Sequence, residues 1–268
     1  MRIIDAQIHL WEGAGAPPHH TRAPFTMADA VEGMDAAGVS RAINCPAVWD
    51  ADANEYAARA ATAHPDRFAT MGWFPLSPDG NASVVETAMN APGAVGLRFL
   101  LVDPADVQRT RDGSFDWLWI AAAERELPVA LMVMPGDLAL VGELANRFPR
   151  LRLLVDHLGV LPFLKLPEAT EHFDQLIELA RHDNVAVKAT GVASMATDPF
   201  PYPSTHEPLR RIYTLFGAER MFWGTDITRM QCSWSECVAA FVDHIPWLTG
   251  RNLELVMGDA LAAWLDWP

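Results

Sequence analysis

Ile4-Asp5-Ala6-Gln7-Ile8-His9-Leu10-Trp11 opens the chain as an apolar run that gains polar groups toward its carboxyl end. The pattern predicts a short buried strand whose far end reaches a polar site. Side chains two apart on a strand share a face, so Asp5, Gln7 and His9 are expected to point the same way. Folding alone gives an apolar strand no reason to hold such a row; a catalytic floor does.

The same kind of run recurs. Strands are predicted at 3–9, 41–45, 68–74, 94–99, 128–133, 151–156, 184–189 and 220–225. Helical patterns fall between them, at 27–37, 54–64, 83–90, 115–126, 138–148, 172–181, 208–216 and 234–243, and a last helix at 260–265 closes the chain. Alternating strands and helices without a long linker imply parallel βαβ units. Leu151-Arg152-Leu153-Leu154-Val155 and Val129-Ala130-Leu131-Met132-Val133 are apolar on both faces, as in a sheet covered by helices. Eight such units predict one (β/α)8 barrel domain over 1–268, distorted, with a C-terminal closing helix. An open doubly wound sheet is the alternative, but it would carry a Gly-rich phosphate loop after its first strand, where Gln7-Ile8-His9-Leu10-Trp11 stands.

Composition narrows the function. The 268 residues carry a formal charge of −14, which argues against non-specific nucleic-acid binding and against docking to anionic membranes. No apolar run reaches the ~20 residues of a membrane span, and the first strand begins too early for a signal peptide, so the expectation is a cytoplasmic protein. Three cysteines, Cys45, Cys232 and Cys237, with no C-x-x-C pair, predict neither a disulfide framework nor a thiolate zinc site.

Barrel enzymes place their chemistry at the carboxyl ends of the strands. Those ends hold Gln7 and His9, Asn44 and Cys45, Arg98, Asp156-His157, Lys188 and Asp226. Asp226 ends the apolar run Met221-Phe222-Trp223, where a carboxylate must be paired, hydrated or functional; capping the next helix is the bland reading. Either His9 or His157 alone would be an ordinary structural histidine. With Asp226, they meet at one point only if the barrel closes. Residues 12–25, with His19 and His20, and residues 190–207, rich in proline, are candidate substrate loops.

The constellation resembles the amidohydrolase superfamily, in its amidohydrolase-2 branch of lactonases. The resemblance covers the whole chain in order: the opening strand motif ending in Gln7-Ile8-His9, Asp156-His157-Leu158-Gly159, Phe222-Trp223-Gly224-Thr225-Asp226, and a closing segment from Gly258 to Leu265. It implies a (β/α)8 barrel in which Asp226 activates water. One departure matters: the family's first strand usually reads His-x-His, and here the first position is Gln7. An amide oxygen is a weak substitute for an imidazole ligand, and Arg98 stands near the fourth strand, where two-metal members need a bridging lysine or glutamate. The resemblance therefore implies a lactonase that requires no metal.

The expected reaction is hydrolysis of a small carboxylated lactone, with Asp226, His9 and His157 catalytic. Asp226 is the base, and His9 and His157 donate to the carbonyl oxygen. Gln7, Arg98, Lys188, His19, Trp73 and Met132 are the expected substrate-binding residues. The bland alternative for Arg98 is pairing with an internal acid such as Asp5, and for Lys188 a strut inside the barrel. Two rivals are a decarboxylase or amide hydrolase holding one divalent metal, such as zinc or manganese, on His9, His157 and Asp226, and a non-catalytic binding protein on a degenerate barrel. A homo-oligomer is possible; Phe115-Asp116-Trp117-Leu118-Trp119 suits either an interface or a helix packed on the barrel.

Overall fold

Short runs of β-branched and leucine residues form eight parallel strands, paired in chain order. In this computed structural model, which describes residues 1–267, they are β1 (Ile4–Ile8), β2 (Arg41–Asn44), β3 (Phe68–Gly72), β4 (Ala94–Leu101), β5 (Pro128–Val133), β6 (Arg152–Val155), β7 (Val185–Thr190) and β8 (Met221–Gly224). The helices are α1 (Met27–Ala37), α2 (Ala53–Ala63), α3 (Ala82–Met89), α4 (Pro104–Arg111), α5 (Asp116–Glu124), α6 (Leu138–Arg147), α7 (Phe173–Glu178), α8 (Val192–Met195), α9 (His206–Phe216), α10 (Trp234–Val242), α11 (Gly250–Glu254) and α12 (Ala260–Trp264). The arrangement is the expected (β/α)8 barrel, nearly closed.

Alternation along the strands sorts two cores. Ile4, Ala6, Ile43, Ala69, Met71, Ala130, Leu154, Ala186 and Phe222 fill the barrel interior, and Ala260, Leu261 and Leu265 of the closing segment pack against them. Val129, Leu131, Leu153, Val155, Val187 and Trp223 face the helical layer. Helix starts follow local chemistry. Thr26 caps α1 in a reciprocal box with Asp29, and Ser233 caps α10 in the same way with Glu236.

The opening strand departs from simple alternation. Asp5 pairs with Ala42, but the next partners are Ile8 and Asn44, so β1 uses one more residue than β2 over this stretch. Such a bulge shifts the side-chain parity beyond it. Gln7 and His9 turn to the polar mouth, while Asp5 turns away from them, toward α10. The expectation that all three share a face is corrected here.

Asp5 instead fastens the seam between β8 and β1. Its carboxylate accepts from Thr225 N (2.8 Å), from Gln7 N (3.0 Å), from the Thr225 hydroxyl and from Trp234 Nε1 (2.9 Å). Asp226 N donates to Gln7 O at 2.9 Å alongside. Burial pushes the Asp5 carboxyl up to about 7, against the pull of those donors. Gly224 is required at this seam: a Cβ there would come within 2.8 Å of both Ala6 N and Asp5 Oδ1.

Other differences are local. Helix α4 was not expected; Asp103 caps it and Pro104 starts it. The helix expected over 172–181 ends at Glu178 and continues as a tighter turn, Leu179–Arg181. The aromatic run at the start of α5 packs inward, with Phe115, Leu118 and Trp119 fully buried and Trp117 stacked near Phe74. No helix among the described residues is long and apolar enough to cross a membrane.

Candidate active site

Strand ends bring His9, His157 and Asp226 together. His9 Nε2 lies 3.5 Å from Asp226 Oδ1, and His157 Nε2 lies 3.8 Å from Asp226 Oδ2. All three side chains are about 95% buried. His157 (φ 54°) and Asp226 (φ 53°) both hold left-handed backbone conformations. Non-glycine residues adopt these rarely and at a cost of about 1–3 kcal/mol, mostly where function requires it. Asp226 makes no side-chain cap for the segment that follows it.

A polar layer lies beside the trio. Asp156, at the end of β6, takes Lys188 Nζ at 2.9 Å on one oxygen and Arg98 Nε at 2.7 Å on the other. These two cations hold the Asp156 carboxyl well below the usual range, although burial pushes the other way. Arg98 thus pairs with Asp156 and not with Asp5. Among the described residues only its Nε is hydrogen-bonded. Lys188 is fully buried and also donates to Gln7 Oε1 at 3.1 Å.

That last bond assigns a tautomer. An ammonium only donates, so Gln7 must turn its oxygen to Lys188. Its Nε2 then faces His157 Nε2 at 3.1 Å, and this nitrogen must accept. The His157 proton then sits on Nδ1, 2.6 Å from the Thr190 hydroxyl, and the Arg229 Nη2 group 3.3 Å from that nitrogen is a close contact between two donors, not a hydrogen bond. His9 follows the same rule: its Nδ1 donates to the Cys45 carbonyl at 2.6 Å. Burial lowers the pKa of both imidazoles, that of His157 to about 3, with Arg229 adding to the effect there. Both are neutral, and both aim an Nε2 lone pair inward. This differs from the expectation that the two histidines donate to a carbonyl oxygen.

Burial alone would raise the Asp226 carboxyl, but the charges of His9 and His157 when protonated, and of Arg229 throughout, outweigh it and keep it below the usual range. Arg229 Nε stands 2.8 Å from Asp226 Oδ2, and Arg229 Nη2 stands 3.3 Å from His157 Nδ1. Asp226 Oδ1 has no hydrogen-bond partner among the described residues. Gly191 makes room for the guanidinium, since a Cβ there would overlap Arg229 Nη2 at 1.8 Å. Sequence reading missed Arg229; its position three residues after Asp226, in the same strand-end loop, was the available signal.

The first long loop covers the mouth. Thr21 N and Arg22 N donate to Thr228 O at 2.8 and 3.2 Å, and Arg22 Nη2 donates to Cys232 O at 2.6 Å. His20 is buried, 2.8 Å from the Thr228 hydroxyl, with its ring centroid 4.6 Å from that of Trp49 and 5.5 Å from that of His9. It belongs to the site, although only His19 was singled out. His19 packs on it at 4.4 Å. Met132 follows Ala130 on the inward face of β5 and is half-buried. Trp73 lies apart from the trio: it exchanges hydrogen bonds with Asn54 and lines a separate cavity of about 490 Å³ beside Thr70 and Thr87.

As a metal centre the donor set falls short. His9 Nε2 and Asp226 Oδ1 are open lone pairs, but Gln7 N–H occupies the His157 lone pair and Arg229 flanks the other Asp226 oxygen. Among the described residues no group of three or more His, Cys, Asp or Glu side chains is arranged to hold an ion. A protein zinc site ordinarily uses three or four ligands, so this arrangement does not fit one.

Parallel barrel, two imidazoles and a carboxylate at the carboxyl ends of β1, β6 and β8: these define a (β/α)8 barrel of the hydrolase type, its polar groups gathered at the strand ends. The chain belongs to the amidohydrolase family, whose model Amidohydro_2 matches residues 4–258. It is 29% identical over 256 residues to an L-fucono-1,5-lactonase of Burkholderia ambifaria, covering 91% of this chain and 85% of that one. An amidohydrolase structure from Burkholderia multivorans with bound zinc superposes with a TM-score of 0.84 at 18% identity, over 100% of both chains. A Pseudomonas putida protein described as a 2-pyrone-4,6-dicarboxylic acid hydrolase gives 0.80 at 19%, over 99% of this chain and 98% of that one. At such identities the two structures speak for the fold alone.

Proposed function

We propose that the protein hydrolyses a small anionic lactone, with Asp226 as the base and no metal required. One observation carries the reading: Asp226 Oδ1 is buried and has no hydrogen-bond partner among the described residues, 3.5 Å from His9 Nε2. Two acceptors this close cannot bond each other. A water between them donates one hydrogen to each and keeps a lone pair for the substrate.

The steps balance simply. The water oxygen attacks the lactone carbonyl and its proton passes to Asp226 Oδ1. The tetrahedral adduct collapses, the ring C–O bond breaks, and the leaving alkoxide takes that proton back from Asp226. The product is an open hydroxy acid. Arg229 keeps Asp226 ionised between turnovers. Arg98, held by Asp156 only through Nε, offers its other donors to a substrate carboxylate, where a planar guanidinium is well suited. Lys188 fixes Gln7, and Gln7 fixes His157. His19 and Met132 are proposed as pocket walls; Trp73 is a weaker candidate, given its place beside the other cavity.

Charge supports the substrate class. Arg98, Lys188 and Arg229 pair with Asp156 and Asp226, three cations to two carboxylates, which leaves this buried layer one positive charge for an anionic substrate within a chain of −14. The lactonase relative supports a cyclic ester and a small-molecule substrate.

The test is a panel including L-fucono-1,5-lactone and 2-pyrone-4,6-dicarboxylate, followed by acid release. Asp226→Asn should lose ~10²–10⁴-fold in kcat while keeping the fold. Full activity in that variant would refute the assignment. Turnover that required one bound divalent ion per chain, lost to a chelator and restored by zinc or manganese, would instead favour the metal-dependent rival.

A further inference from the structure

Two of the three cysteines form a pair that the proposed reaction does not use. Cys232 Sγ and Cys237 Sγ lie 3.3 Å apart, closer than ordinary sulfur contact. They straddle the start of α10: Cys232 precedes the Ser233 cap, and Cys237 lies just over one turn into the helix. Both are free thiols. Cys232 is half-buried, whereas Cys237 is only 6% exposed. Cys45 sits elsewhere, in the barrel interior, 3.9 Å from Lys188 Nζ.

We propose that Cys232 and Cys237 are a peroxide-responsive site, with Cys232 the attacking thiol and Cys237 the resolving one, closing to an intramolecular disulfide. A disulfide needs sulfur centres about 2.05 Å apart, so closure asks for a shift of about 1.2 Å in two short side chains. The outer thiol meets the oxidant and the inner one stands beside it. The Cys237 side chain hydrogen-bonds to Cys232 and the Tyr202 hydroxyl adds a second bond, which together lower the Cys232 thiol to about 6 against the effect of burial. The same contact and burial push Cys237 up. The contact favours the thiolate at Cys232 and the protonated thiol at Cys237, the division of labour that peroxide chemistry needs.

The steps balance with hydrogen peroxide as oxidant. The Cys232 thiolate attacks one peroxide oxygen, the O–O bond breaks, and hydroxide leaves and is protonated to water, giving the sulfenic acid. Cys237 then attacks that sulfur, its proton goes to the departing hydroxide, and a second water leaves. Two thiols and one peroxide become one disulfide and two waters. The bridge would tie the Cys232 segment, whose carbonyl anchors Arg22 of the covering loop, directly to α10.

The experiment treats the reduced full-length protein with about one equivalent of hydrogen peroxide, then denatures it, alkylates it with iodoacetamide and digests it with trypsin. Cleavage after Arg229 and Arg251 puts both cysteines in one peptide, Met230 to Arg251. The expected result is loss of alkylation at both, a peptide lighter by two hydrogens than its unalkylated reduced form, and an unchanged Cys45. Cys237→Ser should stop at the sulfenic acid, trapped by dimedone on Cys232. Three thiols still alkylated after peroxide, Cys232 oxidised to the sulfinic acid without a bridge, or disulfide-linked dimers would each overturn the proposal.

Discussion

Asp156→Asn isolates what the buried charges do for the barrel. Asp156 and Lys188 are at most 1% exposed and Arg98 is 5% exposed. The substitution keeps the side-chain shape but leaves two cations, each within 3 Å, without the carboxylate that both contact. Removing one partner of a buried ion pair costs about 3–5 kcal/mol, because the remaining charge is stranded without water. Two cations are stranded here, so the upper part of that range applies, about 4–5 kcal/mol. For a chain of this size that lowers the melting temperature by roughly 8–20 °C. Calorimetry on wild type, Asp156→Asn, Lys188→Met and the double variant completes the cycle. The double variant should recover much of the loss, since one stranded charge has gone with its partner. The same pair gives a pH signature. The folded-state pKa of Asp156 lies below its unfolded value, so its contribution is present above about pH 4 and is lost as pH falls through the folded pKa. In Asp156→Asn the acid limb of the stability curve should flatten. A single variant melting within 2 °C of wild type, with an unchanged acid limb, would refute this account.

Asp5→Ala strands the donors of Thr225, Gln7 N and Trp234 at the β8–β1 seam and should cost at least about 3 kcal/mol; equal denaturant midpoints would sink that reading. Arg22→Ala removes one anchor of the covering loop at Cys232 O and should raise KM more than it lowers kcat, measured on the best lactone of the panel. Burial lowers the pKa of the histidines of the site, with His157 and His20 held to about 3. The acid limb of kcat/KM should therefore lie below pH 5, and a midpoint between 6 and 7 would show that an ordinary titrating histidine controls the rate.

Periodicity was enough to read the barrel. Eight apolar runs separated by helical patterns leave few topologies, and the joint placement of His9, His157 and Asp226 follows once the ring closes. What sequence could not supply was parity and pairing. One extra residue in β1 reverses the direction of Asp5 relative to Gln7, and no local pattern announces a bulge between two apolar positions. Arg98 and Lys188 were visible as inward cations, but their common partner, Asp156, depends on the register of β4, β6 and β7. The tautomers of His9 and His157 depend on Cys45 O, Gln7 and Lys188, which are distant in the chain. Arg229 was legible in principle; its role requires the loop after Asp226 to curl back, which the left-handed backbone at Asp226 permits.

These contacts form one relay. Asp156 holds Lys188, Lys188 orients the Gln7 amide, Gln7 fills the His157 lone pair, and Arg229 touches both His157 and Asp226. A histidine in place of Gln7 would turn at most one ring nitrogen lone pair toward the Lys188 ammonium and would free the His157 lone pair. The glutamine thus converts a potential ligand into a fixed hydrogen-bond acceptor. Its neutral amide reads an ammonium on one side and an imidazole on the other, and only one orientation satisfies both. The open acceptors that remain, Asp226 Oδ1 and His9 Nε2, are those that the proposed reaction uses to hold and deprotonate a water. On the proposed mechanism the polar layer below the trio acts on the reaction by deciding which lone pairs stay open, and a substitution at Lys188 should disturb turnover even though Lys188 touches none of the three.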